Sequence, residues 1–166
     1  PPPTGEFTPY EVTDPQIATL AAPTPDALGS SAFEPLEDFG LREAPRGYGA
    51  LRVKVTIPEV PNDGVGLLEN GPGDNILVLA NGQIVFGEGE MELPGNSYDH
   101  LTRQRIRIPA GVLEAGTNRI EIIHTQELGV EYVPGLPLVA SYKEIERAFG
   151  WKQFLMNEAR VIASAI

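Results

Sequence analysis

Residues 51–57 read Leu51-Arg52-Val53-Lys54-Val55-Thr56-Ile57, an unbroken alternation of apolar and polar side chains. Side chains on an extended chain point alternately to the two faces of a sheet, so this stretch buries one face and wets the other. Pro58 and Pro61 stop it, because proline cannot donate to a strand ladder. Downstream, Gly66-Leu67-Leu68 reads as a second strand, and Asn75-Ile76-Leu77-Val78-Leu79-Ala80 is apolar on both faces, as a central strand would be. Asn81-Gly82 follows, and both residue types tolerate the positive φ that a two-residue hairpin turn requires. Gln83-Ile84-Val85-Phe86 is the return strand.

The alternation resumes from Arg103 to Ile108, with Ile106 and Ile108 on one face and Arg105 and Arg107 on the other. Pro109 to Glu114 suits one helical turn, and Gly116-Thr117-Asn118 is a further turn. Arg119 to Thr125 is another strand, with Ile120 and Ile122 facing one way and Ile123 the other. Short strands at this spacing, punctuated by Gly, Pro and Asn, predict an all-β fold, a β-sandwich of the jelly-roll kind, over residues 48–140.

The flanks read differently. Residues 1–47 are rich in Pro, Ala and Thr, and their eight acids are opposed only by Arg42 and Arg46. Pro1, Pro2, Pro3, Pro9, Pro15, Pro23 and Pro25 argue against long helices and inner strands, which predicts an extended acidic arm. Asp14-Pro15 suits the start of a short helical turn, with Asp14 as its cap. Phe33, Leu36, Phe39 and Leu41 would anchor the end of the arm on the body. In residues 141–166 the period changes. Ser141-Tyr142-Lys143-Glu144 has the form of a capping box, in which the Ser hydroxyl accepts one orphan N–H and Glu returns the bond. Ile145, Ala148, Phe149, Phe154, Leu155 and Met156 then suggest the apolar stripe of a C-terminal helix, weakened by Gly150.

A chain of 166 residues is one domain by length, and at that size it buries about 70 % of its unfolded surface without staples. There is no cysteine, so neither a disulfide nor a thiolate metal site is available. No apolar run reaches the ~20 residues that span a bilayer. The net charge of −11 repels phosphate backbones and anionic lipid heads, which disfavours nucleic acid as a partner.

Catalytic chemistry lacks a constellation. Of the two histidines, His124 falls within a strand, where a structural role is expected, and His100 sits in a loop beside Asp99. There is no Gly-x-Ser-x-Gly elbow, no phosphate-cradling Gly-x-x-x-x-Gly-Lys and no reactive thiol. Asp63, Asp74 and Asn75 are hard oxygen ligands, but their spacing matches turns rather than a helix–loop–helix calcium site. The chain is therefore expected to be non-catalytic, with no cofactor and no metal. Binding has better material. Tyr98, Asp99, His100, Arg103 and Arg105 gather an aromatic face and directional hydrogen-bonding groups in one loop and strand, with Arg107 beyond. These five are the candidate ligand-binding residues. The other reading of the arginines is a solvated strand face paired with Glu on a neighbour.

Four segments carry a family resemblance: Gly49 to Val55 as an opening strand, Gly66 to Asn70 as the next, Ile76 to Gln83 as a hydrophobic strand with its Asn-Gly return, and Arg107 to Ile120 as a "Pro, helical turn, Leu, Gly-x-Asn, strand" signature. Over residues 48–166 the chain resembles the periplasmic sensory domains of galactose-binding-like jelly-roll fold that precede the membrane helices of bacterial diguanylate cyclases and sensor histidine kinases. Where that family often carries Trp-Asn, this chain has Tyr98-Asp99-His100. The resemblance implies a periplasmic ligand-binding domain of an inner-membrane signalling protein, with the helix from Ser141 leading towards a membrane segment beyond Ile166. It implies a small-molecule ligand, carbohydrate among the candidates. The same hairpin and Gly-x-Asn pattern occurs in carbohydrate-binding modules of secreted glycoside hydrolases, a second reading. A protein-interaction domain without small ligand, using its sheet edge or acidic face to meet a protein, a second copy of the chain among the candidates, is a third.

Overall fold

The computed structural model describes residues 8–43, 46–68, 75–88, 91–93, 105–126, 130–133 and 135–148. Within these residues the strands are β1 (Glu11–Leu20), β2 (Glu34–Pro35), β3 (Gly40–Glu43), β4 (Gly47–Ile57), β5 (Val65–Leu68), β6 (Ile76–Ala80), β7 (Gln83–Glu88), β8 (Arg105–Ile108), β9 (Gly116–Gln126), β10 (Val130–Val133) and β11 (Leu138–Ser141). One helix, α1, spans Pro25–Ser30, and residues 142–148 are also helical. Six strands form one sheet in the order β2-β1-β4-β9-β6-β7, three form another in the order β11-β5-β8, and β10 pairs with β3. Every pairing is antiparallel. The result is an all-β sandwich.

The alternation of residues 51–57 sets its inside. Leu51, Val53, Val55 and Ile57 on β4 meet Val65 and Leu67 of β5, Ile106 and Ile108 of β8, and Val139 of β11 in one buried cluster. β9 and β6 add Ile120, Ile122, Ile76, Val78 and Ala80. The odd positions Leu79 and Ile123 point the other way. There, with Ala18, Leu20 and Ala50, they bury Ala27 and Leu28 of α1 in a second cluster. The six-stranded sheet is thus apolar on both faces at one end, which explains why residues 75–80 lack any wet side. α1 starts at Pro25 after Thr24, the favourable first helical position for proline.

The proline-rich stretch enters the sheet, contrary to the sequence expectation. β1 lies between β2 and β4 and pairs with β4 from Glu11↔Thr56 to Leu20↔Tyr48. A bulge between Thr13 and Gln16 makes this possible. Asp14 adopts φ 52, so it begins no helical turn, and the extra residue beside it leaves Pro15 without a ladder bond to donate. The bulge also switches parity. Val12 packs on the main cluster before it and Ile17 after it. Of the expected anchors, Leu36 is buried in the main cluster and Phe33 packs on the second, but Phe39 is exposed.

The Asn81-Gly82 turn forms as the sequence predicts, with φ 49 and 83 and Ala80 paired to Gln83. It is also clamped. The Asn81 amide donates to the Val112 carbonyl (2.9 Å) and to Asn118 Oδ1 (2.8 Å), while Asn81 Oδ1 accepts the Arg119 N–H (2.9 Å). Asn118, fully buried, donates to the Glu114 carbonyl and accepts the Glu114 N–H. These two asparagines serve backbone geometry and tie the β6–β7 hairpin to the loop before β9.

On the far side of the three-stranded sheet, helical residues 142–148 follow directly on β11. Ser141 Oγ accepts the Glu144 N–H (3.3 Å), and its hydroxyl donates to the Glu144 carboxylate (3.1 Å). The Glu arm of the box thus meets the Ser side chain. Ile145 is fully buried and sits on Gly66 of β5, where an added Cβ would lie 2.6 Å from Ile145 Cγ1. Only the absence of a side chain lets helix and strand approach this closely. The expected continuation of the helical stripe from Phe149 to Met156 lies outside the described residues. Replacing Gly66 by Ala should destabilise the domain by about 1–3 kcal/mol, the usual range for overpacking. Urea unfolding should show this as a lower midpoint at constant slope, and an unchanged midpoint would mean that Ile145 is not seated there.

Candidate functional site

The polar positions of residues 51–57 all fall on the outer face of the six-stranded sheet, beyond the end that α1 covers. Register then brings specific charges together. Arg52 lies opposite Glu121, and Lys54 lies opposite Arg119. On the other side of β4, Thr13 faces Lys54 and Gln16 faces Arg52.

Glu121 is the centre of this face. Its side chain is 2 % exposed. Arg52 places Nε (2.9 Å) and Nη2 (2.7 Å) on Oε2, and Arg119 Nε stands 3.2 Å from Oε1. The Phe33 ring covers the Arg52 guanidinium, 3.6 Å from Cζ to the ring centroid, a stacking worth about 0.5–1 kcal/mol. A carboxylate this buried is tolerable only because charged donors occupy both of its oxygens. At the open side, Lys54 Nζ meets the Asp14 carboxylate at 2.8 Å, and both side chains are substantially exposed. The bulge matters here, since it is what carries Asp14 to this position.

Around these groups runs an open cleft of about 390 Å³, lined by Asp14, Arg52, Lys54, Asn81, Glu114, Thr117 and Arg119. Its floor is sheet, not loop, so its side chains are held by the ladder. The lining carries donors and acceptors of both signs. Asp14 of the lining and the neighbouring Glu121 are both taken up in ion pairs. Among the described residues no group of three or more His, Cys, Asp and Glu is placed to hold a metal ion.

Of the residues singled out from sequence, the described ones do not line this cleft. Tyr98, Asp99, His100 and Arg103 are outside the described residues. Arg105 is on β8, opposite Leu68, in the other sheet. Arg107 is exposed on the same strand, but its Nε donates to the Asp63 carbonyl (3.0 Å) and its guanidinium lies over the Tyr142 ring. It braces a turn and the start of the helical residues. His124 is fully buried in β9, between Gly49 and Ile76 of its neighbours, so it is remote from any solvent-facing chemistry. A second concentration of acids, Glu59, Asp63 and Glu144, surrounds Tyr10. Burial first and then these charges raise its phenol above the ordinary 10.0.

What sequence reading missed was the pairing. Arg52 and Lys54 were visible as the wet face of one strand and Arg119 and Glu121 as the wet face of another, but nothing local says that these faces adjoin. No helix among the described residues is long and apolar enough to cross a membrane. Arg52→Met should cost about 3 kcal/mol, because it strips a buried carboxylate of its main partner. Lys54→Met should cost under about 1 kcal/mol, as exposed pairs do. Thermal unfolding of the two variants side by side checks the contrast, and equal losses would contradict the ranking. A scan against protein-family models finds no match for this chain, and a search of curated proteins finds none either.

Proposed function

We propose that this chain is a non-catalytic binding domain that takes a small polar ligand, carbohydrate in kind, in the cleft on the outer face of the six-stranded sheet. The observation that carries the reading is the cleft itself: about 390 Å³ of open space over a rigid sheet, lined by hydrogen-bonding side chains of both signs. Sugar hydroxyls both donate and accept, so they suit such a lining better than an apolar or singly charged body does. Asp14 and the neighbouring Glu121 are held in ion pairs rather than poised for proton transfer, which supports binding over turnover.

At the level of family, we read the sandwich as a galactose-binding-like jelly roll and the domain as the periplasmic sensor of a bacterial inner-membrane signalling protein, a diguanylate cyclase or a histidine kinase. Support comes from the clamped Asn-Gly hairpin, the Asn118 brace after Gly116 and the helical exit from β11. In such a sensor, ligand alters output only by binding one arrangement of the membrane helices more tightly than the other. A second reading, a protein-interaction domain, has one observation in its favour: Ile84 is 57 % exposed on β7, the last strand of its sheet.

Two measurements test these readings. Titrating the isotope-labelled chain with a panel of mono- and disaccharides should shift backbone amides of Arg52, Lys54, Thr117 and Arg119, with dissociation constants of about millimolar or tighter. A blank panel together with a dimer that grows with concentration would favour the interaction domain instead. The parent gene should encode an apolar span of ~20 residues downstream of Ile166. A hydrophilic hydrolase module there would replace the sensor reading with that of a carbohydrate-binding accessory module.

A further inference from the structure

Lys54 and Arg119 are direct cross-strand partners on β4 and β9. Like charges in that position repel and cost stability, with Cα atoms only about 5 Å apart. Both side chains are more than half exposed, at 55 % and 53 %. Their protein counter-charges sit to the sides: Asp14 on Lys54, and the far oxygen of the sealed Glu121 on Arg119 Nε. The terminal nitrogens of Arg119 make no hydrogen bond to another described residue. Both cations line one cleft, in a chain whose net charge is −11.

We propose that the cleft selects a carboxylate-bearing polyhydroxylated ligand, a uronic acid in chemical class, with its carboxylate seated between Lys54 and Arg119. This rests on the cleft being a ligand site at all. A bound carboxylate adds a counter-charge between these cross-strand partners, and the planar guanidinium presents its terminal nitrogens to it. Asp14 and Glu114, on the same lining, accept hydrogen bonds from the ring hydroxyls and repel a second negative charge. That argues for a monoanion over a phosphate ester. The acidic surface elsewhere does not forbid this, because its field is screened over about 8–10 Å at ordinary ionic strength.

The test compares matched sugars. D-glucuronate and D-galacturonate, as sodium salts, are titrated against D-glucose and D-galactose at equal ionic strength, with amide shifts read on the full chain. The uronates should bind at least about tenfold more tightly than their neutral counterparts, as a charge-assisted contact warrants. Lys54→Met, which should fold normally, and Arg119→Gln should each remove most of that advantage, read as the ratio of uronate to neutral-sugar affinity. Equal binding of acid and neutral sugar in the cleft overturns the inference and leaves the binding reading standing. Uronate binding that both variants leave intact also overturns it. If neither matched series shifts a cleft amide, the inference fails, and the binding reading fails with it only if the wider saccharide panel is blank too.

Discussion

The pairing of β4 with β9 governs the molecule. Residues 47–57 run against 126–116 without interruption. Both strands alternate, so one face of the ladder is aliphatic and the other bears Arg52, Lys54, Arg119 and Glu121. A slip by one residue would turn Arg52 and Lys54 into the core and expose Val53 and Val55. Burying unpaired charges costs several kcal/mol each, so the core fixes the register. The register in turn decides which charges meet on the outer face. The cleft is a consequence of hydrophobic packing on the opposite side of the same backbone.

Two local devices frame that face. At one end, Asn81 and Asn118 spend their amide hydrogen-bonding capacity on backbone groups and on each other, which ties the hairpin turn to the loop before β9. Asn81 lines the cleft yet offers it little, since its amide nitrogen and oxygen are already engaged. At the other end, the bulge at Asp14-Pro15 reconciles a proline with an interior strand position and delivers a carboxylate to Lys54. One irregularity thereby serves both the core, by switching the parity of β1, and the cleft.

Most of the body was legible from sequence because its signals are local. The alternation in 51–57, the two-sided apolar run before Asn81-Gly82 and the turn at Gly116 each fix a conformation within a few residues. Residues 11–20 misled because proline was weighed as a ladder breaker. Its bulge position could be identified only with β4 alongside. The cleft was hidden for a related reason. Tyr98 to Arg105 stood out as a cluster in sequence, whereas Arg52 and Glu121 are far apart along the chain and become neighbours only through β4–β9 pairing. Long-range register is set by the whole core, and no short window contains it.

The position of the cleft constrains how any occupant could be felt elsewhere. The helical residues 142–148 lie against the three-stranded sheet, on the opposite outer face of the sandwich. A packed aliphatic core separates the two, and close-packed cores transmit displacement rather than absorb it. There is also a shorter route. The strand that presents Asp14 begins beside Tyr10, whose N–H donates to the Val139 carbonyl of β11 at 2.7 Å. β11 ends at Ser141, the cap of those helical residues. A ligand that competed for Lys54 would release Asp14, whose strand pairs with β4 along its length and reaches β11 through Tyr10. Proximity of this kind is a route and not yet a coupling. Coupling requires that β11 and the helical exit have two arrangements which the occupied and empty cleft favour unequally.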